Sequence, residues 1–232
     1  GLENADRGKL ILACGTGKTF TSLRIAETMA GKGKKVLFLV PSLALLSQTL
    51  NEWTQQAKLP LKNFAVCSDS DIGKSKISED DRVVATRSEL DFPSTTNAKS
   101  LANNIKALHD DEHMTVVYST YHSINVLSDA QMSHNIGEFD LIICDEAHRT
   151  TGATFADEDE SNFVMVHSDD NVMAKKRLYM TATPRIYSED AKSTEAVELC
   201  SMDDEALFGK ELHVINFSTA VSLGLLVDYK VI

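Results

Sequence analysis

The sequence has few cysteines, and no two of them are spaced as in a metal site or a redox motif. Cys14, Cys67, Cys144 and Cys200 are the only four, and no pair forms a Cys-x-x-Cys motif. Zinc sites and disulfide frameworks usually show such close pairs. The spacing indicates free and mostly buried thiols, with Cys14 a small structural residue rather than a nucleophile.

Long apolar runs are also missing. No stretch of the 232 residues approaches the roughly 20 consecutive apolar residues that a membrane-spanning helix needs. The first residues do not show the charged and apolar pattern of a signal peptide. Because 43% of the residues are hydrophobic, the chain can bury one sizeable core. These features predict a cytoplasmic globular protein with no membrane partner.

Positive charge is scarce, since 23 lysines and arginines face 34 acidic residues and the formal net charge is −11. Nonspecific affinity for nucleic acid comes largely from lysine and arginine, which neutralise phosphates. The acidic residues are concentrated in predicted loops, where such runs are usually solvated. Backbone N–H groups and hydroxyls can also bind phosphates. We therefore expect weak nucleic-acid binding by the chain alone.

A glycine-rich loop follows the first apolar run. Residues 10–19 are Leu-Ile-Leu-Ala-Cys-Gly-Thr-Gly-Lys-Thr, which indicates a strand, a loop and the start of a helix. Glycines let the backbone close on an anion, so that N–H groups point at phosphate oxygens. In a P-loop the lysine reaches the β- and γ-phosphates and the threonine binds Mg²⁺. Leu12 replaces the first glycine of the full pattern. The loop predicts binding of ATP and Mg²⁺ by Gly15, Thr16, Gly17, Lys18 and Thr19.

Two carboxylates follow a second apolar run. Residues 139–144 are Phe-Asp-Leu-Ile-Ile-Cys, and Asp-Glu-Ala-His comes next. Such a run is typical of a parallel strand covered on both faces, and ligands bind at the carboxyl ends of such strands. We expect Asp145 to hold Mg²⁺, through water, and Glu146 to deprotonate the attacking water. The alternative is a solvated acidic turn.

Three segments together resemble motifs I, II and III of superfamily 2 helicases. They are Gly-Thr-Gly-Lys-Thr at 15–19, Asp-Glu-Ala-His at 145–148 and Thr-Ala-Thr-Pro at 181–184. The resemblance implies that His148, Thr181 and Thr183 couple the nucleotide site to a DNA-binding face. For the threonines the alternative is capping of a strand, and for His148 it is metal binding.

Two further segments are similar to motifs Ia and Ib of the same superfamily. Residues 40–48 contain Val-Pro-Ser and Leu-Leu-Ser-Gln, and residues 118–122 are Tyr-Ser-Thr-Tyr-His. In the family these motifs usually contact the nucleic-acid backbone. The resemblance implies nucleic-acid contacts from Pro41, Ser42, Gln48, Ser119 and Thr120.

Within the superfamily, the sequences of these motifs most resemble those of restriction-enzyme motor subunits. Residues 199–209 also resemble the helicase-like part of Type I single-polypeptide restriction–modification enzymes. The resemblance implies an ATP-dependent translocase on duplex DNA, with nuclease and methyltransferase regions in the parent chain. The alternatives are a strand-separating DNA or RNA helicase and a nucleotide-gated binding module without turnover.

Alternating predicted strands and helices indicate an α/β fold with a doubly wound, mostly parallel sheet and helices on both faces. The resemblance makes this a RecA-like P-loop NTPase fold. We expect residues 1–217 to form the first ATPase domain and residues 218–232 a connector toward a second RecA-like domain that the chain lacks. Without the arginine fingers of that domain, which can contribute about 10³ to 10⁵ in rate, the isolated chain should be weakly active or inactive.

Several local features carry their own expectations. We predict a strand at 83–86, a helix capped by Thr95 or Thr96 and ending at Leu108, and a strand at 213–217. Trp53 is expected in the core. Arg7 could either approach the nucleotide or face solvent. The basic run at 175–177 is expected to be a solvated helix end rather than a DNA-binding patch.

Overall fold

The computed structural model describes residues 1–67, 94–153, 162–188 and 199–228. The strand predicted at 83–86 lies outside the described residues. The strands are Arg7–Leu12 (β1), Lys35–Val40 (β2), Leu61–Val66 (β3), Ser94–Thr95 (β4), Met114–Thr120 (β5), Leu141–Cys144 (β6), Gly152–Ala153 (β7), Arg177–Thr181 (β8), Leu199–Cys200 (β9) and Lys210–Ile215 (β10). The α-helices are Lys18–Met29 (α1), Leu43–Gln56 (α2), Ala98–Leu108 (α3), Ile124–Met132 (α4), Glu205–Phe208 (α5) and Phe217–Ser222 (α6).

Eight of these strands form one parallel sheet in the order β10-β1-β8-β6-β2-β5-β3-β4. β7 and β9 pair separately and antiparallel. Parallel strands present their carboxyl ends at the same edge of a sheet. The segments that follow β1, β8, β6 and β2, which are adjacent in the sheet, therefore meet at one edge, where ligands bind in this class of fold. The predicted α/β fold with a mostly parallel sheet is confirmed.

The core has two halves, one on each face of the sheet. Side chains of β2 alternate between them, with Leu37 and Leu39 in one and Phe38 in the other, as the pleat of a strand requires. On the first face, α3 and α4 contribute Leu101, Ile105 and Leu127. On the second face, α1 and α2 contribute Leu23, Leu46 and Trp53.

Polar side chains set the starts of the helices. The Ser42 hydroxyl accepts a hydrogen bond from the Leu45 N–H and so caps the start of α2. The prediction that Thr95 or Thr96 caps α3 is wrong, because the Asn97 side chain accepts from Ser100 N at 2.9 Å. Asparagine is among the preferred N-cap residues, and Thr95 lies in β4.

Two other local predictions are corrected. The final strand spans Lys210–Ile215 rather than 213–217, because Asn216 caps α6 through Thr219 N. The basic run at 175–177 is no helix end, since Arg177 begins β8 and is only 2% exposed. Its guanidinium donates to backbone carbonyls and to Asp169 Oδ1 at 2.7 Å, which satisfies a charge that would otherwise be costly to bury.

Arg7 takes neither of its predicted positions. It lies in β1, and its guanidinium donates to the carbonyls of Leu207 and His167 at 2.9 and 2.7 Å. β1 reaches the P-loop at its opposite end, so Arg7 is remote from the predicted phosphate site. Arg7 therefore connects β1 to α5 and to the segment before β8.

A buried histidine lies beside these arginines. His167 Nε2 is 2.9 Å from the Thr150 carbonyl oxygen, and Nδ1 is 3.0 Å from the Tyr179 hydroxyl. Since a carbonyl can only accept, Nε2 carries the proton and Nδ1 accepts from the tyrosine. Burial, helped by the charges of Arg7 and Arg177, lowers the pKa of His167 to about 4, although the Thr150 carbonyl raises it.

His167 should make folding stability depend on pH. His167 takes up its second ring proton near pH 6.5 in the unfolded chain and only near pH 4 in the folded chain. The contribution of neutral His167 to the free energy of unfolding is therefore fully present above pH 6.5 and is lost as the pH falls toward 4. At about 1.4 kcal/mol per unit, the free energy of unfolding should fall by about 3 kcal/mol over this range. Urea unfolding of the parent and of His167→Gln at several pH values measures this effect.

Because carboxylates also titrate in this range, the difference between parent and variant isolates the histidine. The more exposed His134, replaced by Gln, is the matched control and should follow the parent. Equal pH dependence for His167→Gln and the parent would contradict the assignment.

Candidate active site

The loop after β1 is held in a closed conformation. Ala13 N donates to the Ile215 carbonyl at 2.8 Å, and the Thr16 hydroxyl donates to the Ala13 carbonyl at 2.7 Å. Gly15 and Gly17 have φ angles of 80° and 84°, which residues with a side chain rarely adopt. Lys18 then begins the 12-residue helix α1. The predicted P-loop residues thus lie at a helix N-terminus, where backbone N–H groups favour a phosphate.

The end of the described chain packs on this loop. A Cβ atom on Gly15 would come 3.1 Å from Leu226 Cδ2, so the glycine leaves room for that side chain. Cys14 is exposed beside it, whereas Cys67, Cys144 and Cys200 are buried. The expectation of free, mostly buried thiols is confirmed. Cys14 is exposed because it follows β1 into the exposed loop.

The two carboxylates are placed at the end of β6. Asp145 N donates to the Leu39 carbonyl at 2.9 Å, which fixes the residue against β2. Glu146 has a φ of 47°, in the left-handed region that costs a non-glycine residue about 1 to 3 kcal/mol. Its Oε1 lies 3.9 Å from Lys18 Nζ. The acidic turn therefore faces the P-loop lysine.

Asp145 is only 7% exposed, and this burial raises the pKa of its carboxyl to about 6. The Glu146 charge raises it as well, whereas the Glu146 N–H and Lys18 lower it. A desolvated carboxylate is favoured by a nearby cation. Its oxygens and the Thr19 hydroxyl are hard ligands of the kind that Mg²⁺ takes together with phosphates. These residues therefore fit a Mg²⁺ ion that accompanies a nucleotide.

The predicted coupling residues form one chain of contacts. His148 Nδ1 lies 3.4 Å from Glu146 Oε2 and 3.0 Å from the Thr181 hydroxyl. The Thr181 hydroxyl also accepts from Thr183 N at 3.1 Å. Burial lowers the pKa of His148, although the neighbouring Glu146 raises it. The contacts run without a break from Lys18 through the carboxylate to the end of β8.

Of the five residues predicted to contact nucleic acid, three are buried and two have exposed surface. Pro41, Ser119 and Thr120 are buried, and the Ser119 and Thr120 hydroxyls bond to the Thr120 carbonyl and to Ser123 Oγ, both at 3.0 Å. These two hydroxyls are therefore used inside the protein. Ser42 is partly exposed and Gln48 is exposed, with its Nε2 donating to Glu52 Oε1.

Two aromatic residues at the site were not predicted as functional. The Tyr121 hydroxyl donates to the Asp145 carbonyl at 2.9 Å, and Trp53 Nε1 donates to the Thr19 carbonyl at 3.1 Å. Trp53 is in the core as predicted. Its position in α2, at helical spacing from buried leucines, indicated only packing, and the partner of its N–H depends on how α2 lies against α1.

No helix in the described parts of the chain combines the length and the apolar character that crossing a bilayer would require. Among the same residues, no group of three or more histidine, cysteine or acidic side chains is arranged to hold a metal ion.

Comparison with known proteins finds similarity to restriction enzymes, both in sequence and in structure. The family described as "Type III restriction enzyme, res subunit" matches residues 2–186. The ATP-dependent Type ISP restriction-modification enzyme LlaBIII, solved bound to DNA, is 43% identical with a TM-score of 0.80 over 98% of this chain and 15% of that one. A nuclease-deletion mutant of the Type ISP enzyme LlaGI, solved with a DNA substrate mimic, is 40% identical with a TM-score of 0.72 over 96% of this chain and 19% of that one.

A curated relative comes from African swine fever virus. It is a probable helicase, 33% identical over 185 residues, which are 79% of this chain and 18% of the viral protein. The chain thus spans less than a fifth of the length of each of these three relatives. The predicted resemblance to helicase-like domains of restriction–modification enzymes is confirmed: the chain belongs to the family of the Type III restriction enzyme res subunit and is a helicase-like domain of that family.

Proposed function

We propose that this chain is the ATP-hydrolysing domain of a DNA translocase of the restriction–modification type. The observation that carries the proposal is the row of contacts between 3.0 and 3.9 Å from Lys18 through Glu146 and His148 to Thr181. It brings the P-loop, the acidic turn and the end of β8 together at one edge of the sheet. In a simple solvated acidic turn, the Glu146 carboxylate would not have to contact both a lysine and a histidine.

The groups at this edge of the sheet then have defined roles in ATP hydrolysis. Lys18 and the N–H groups of the loop from Gly15 to Thr19 bind the phosphates, and Lys18 neutralises the γ-phosphoryl group. Glu146 accepts the proton of the attacking water. Thr19 and Asp145 would hold Mg²⁺, which would neutralise phosphate charge. The products are ADP and phosphate.

His148, Thr181 and Thr183 transmit the state of the nucleotide. His148 Nδ1 contacts both Glu146 Oε2 and the Thr181 hydroxyl, so a displacement of the carboxylate reaches the loop after β8. In the proposed translocase this loop, with the segments after β2 and β5, converts ATP hydrolysis into movement on DNA.

The partner is duplex DNA, bound weakly by this chain alone. Support comes from the Type ISP relatives, one solved bound to DNA and the other with a DNA substrate mimic. For direct contacts we favour Ser42 and Gln48, which retain exposed surface. Pro41, Ser119 and Thr120 can contribute through the shape and backbone of their segments. The working protein is proposed to be cytoplasmic.

Residues 1–217 are the proposed first RecA-like domain, and residues 218–232 the connector to a second. We propose that the parent chain also carries nuclease and methyltransferase regions. Because the second domain supplies arginine fingers in this superfamily, the chain alone is weakly active or inactive. A strand-separating helicase is the alternative that a specific observation favours, namely the viral relative described as a probable helicase.

Nucleic-acid dependence of ATP hydrolysis distinguishes these functions. The rate is measured on the protein extended through the second domain, with no nucleic acid, duplex DNA, single-stranded DNA or RNA. Stimulation by duplex DNA supports the translocase, and stimulation by single strands or RNA alone supports the helicase. Absence of turnover under all four conditions would contradict both and favour a nucleotide-gated binding module.

A further inference from the structure

Tyr121 connects two segments of the site through one hydrogen bond. It follows β5 directly, and its hydroxyl donates to the Asp145 carbonyl at 2.9 Å across 24 positions of sequence. The side chain has no exposed surface. Burial also raises the pKa of this hydroxyl well above its usual value, so the group remains a protonated donor.

The acceptor belongs to the peptide that joins the two carboxylate residues. The carbonyl of Asp145 and the N–H of Glu146 are the two polar groups of one planar unit. Tyr121 binds the oxygen, and Asp145 Oδ1 accepts from the N–H at 3.0 Å. The orientation of this peptide is therefore fixed at both ends.

This orientation determines the backbone at Glu146. The φ angle of 47° is a rotation about the bond next to that peptide, in a region that non-glycine residues rarely adopt. Such a conformation persists only when the surroundings hold it. The Tyr121 hydroxyl is one of the two groups that hold the peptide, and so it contributes to where the Glu146 side chain begins, together with the hydrogen bond from Arg149 N to the Glu146 carbonyl.

The ring of Tyr121 is itself held in place. Phe163 stacks on it with ring centroids 4.8 Å apart and an angle of 25°. On the preceding residue, the Thr120 hydroxyl lies 3.0 Å from Ser123 Oγ. The Ser119 and Thr120 hydroxyls bond within the segment at 119–123, whereas the Tyr121 hydroxyl reaches the acidic turn.

We propose that Tyr121 is a positioning residue for ATP hydrolysis, whose hydroxyl holds the Asp145–Glu146 peptide so that Glu146 can activate water. The proposal rests on the proposed function of the chain. It assigns the segment resembling motif Ib an internal role, in which a shift of this segment on DNA binding reaches the catalytic carboxylate through one hydrogen bond.

Tyr121→Phe removes only the hydroxyl and tests this role in the protein extended through the second domain. Misplacing a catalytic group by 1 Å can cost about 100-fold in rate, and a relaxed peptide should move Glu146 less. We expect kcat with duplex DNA to fall about tenfold, with the affinity for ATP changed less than about twofold. Loss of affinity with unchanged kcat would contradict the positioning role.

Tyr118→Phe is a matched control, because Tyr118 lies in β5, the strand that Tyr121 follows. The Tyr118 side chain is fully buried, and its hydroxyl has no hydrogen-bond partner among the residues that the structure describes. Its removal should leave kcat unchanged. Equal kcat values for Tyr121→Phe and Tyr118→Phe would overturn the proposal.

Hydrogen–deuterium exchange provides a readout that does not need turnover. Without nucleotide, backbone amides in the peptide that contains residues 145–148 should exchange faster in Tyr121→Phe than in the parent and in Tyr118→Phe. Unchanged exchange would contradict the role of the hydroxyl in holding this peptide. If the extended protein without substitutions hydrolyses no ATP, the proposed function fails. Faster exchange in Tyr121→Phe would still support the role of the hydroxyl in holding the Asp145–Glu146 peptide.

Discussion

Replacing Glu146 with glutamine should lower kcat for ATP hydrolysis by about 10² to 10⁴-fold, the range expected when a general base is lost. Glutamine has nearly the same shape as glutamate and can still occupy the space beside Lys18, 3.9 Å from its Nζ. It cannot accept the proton of the attacking water. ATP affinity should therefore change little, and single-turnover hydrolysis together with equilibrium binding measures the two effects separately.

A surface carboxylate provides the control for this experiment. Glu138 is exposed and lies 3.8 Å from Lys175, away from the P-loop. Glu138→Gln should hydrolyse ATP at the rate of the parent. Full turnover by Glu146→Gln would show that another group activates water and would contradict the proposed mechanism.

Replacing Trp53 with alanine should lower the free energy of unfolding by about 3 to 5 kcal/mol, the usual cost of truncating a large buried aromatic side chain. Trp53 is fully buried, and its ring packs edge-on against Phe38 and Tyr118 with centroids 5.1 and 5.9 Å away. Alanine leaves a cavity between α2 and the sheet. Chemical denaturation of parent and variant measures the loss.

Trp53→Phe separates packing from hydrogen bonding. Phenylalanine keeps an aromatic ring but loses the N–H that donates to the Thr19 carbonyl. That carbonyl still accepts from the Ser22 hydroxyl at 2.7 Å, so it is not left without a donor. We expect Trp53→Phe to lower the free energy of unfolding by about 1 to 3 kcal/mol, which is less than the alanine variant loses. Equal stability of Trp53→Ala and the parent would contradict the role of this side chain in the core.

The parts of the fold that local sequence determines were predictable. The strand at Leu141–Cys144 lies within the apolar run at 139–144 and ends where predicted, directly before the two carboxylates. Gly15 and Gly17 adopt the backbone angles that a phosphate-binding loop requires. These features depend on residues close together in the chain.

Contacts between distant residues were not predictable in the same way. The sequence shows Arg177 as part of a charged run, but its burial depends on carbonyls that other segments supply. The Trp53 N–H donates to the Thr19 carbonyl 34 positions away in the chain, a partner that helical spacing does not reveal. The left-handed backbone at Glu146 and the hydrogen bond from Tyr121 likewise appear only when β5 and β6 are brought to the same edge of the sheet.

Nucleotide binding by Lys18 is the central claim, and calorimetric titration of the chain with Mg²⁺ and a nonhydrolysable ATP analogue tests it most directly. A charged hydrogen bond contributes about 1.5 to 3 kcal/mol, so Lys18→Ala should weaken binding by about 10- to 100-fold. The exposed Lys99, replaced by alanine, should bind like the parent. The predicted result is binding of one analogue per chain, weakened to this extent in Lys18→Ala. Equal affinity of the parent and Lys18→Ala, or no binding by the parent, would contradict the account.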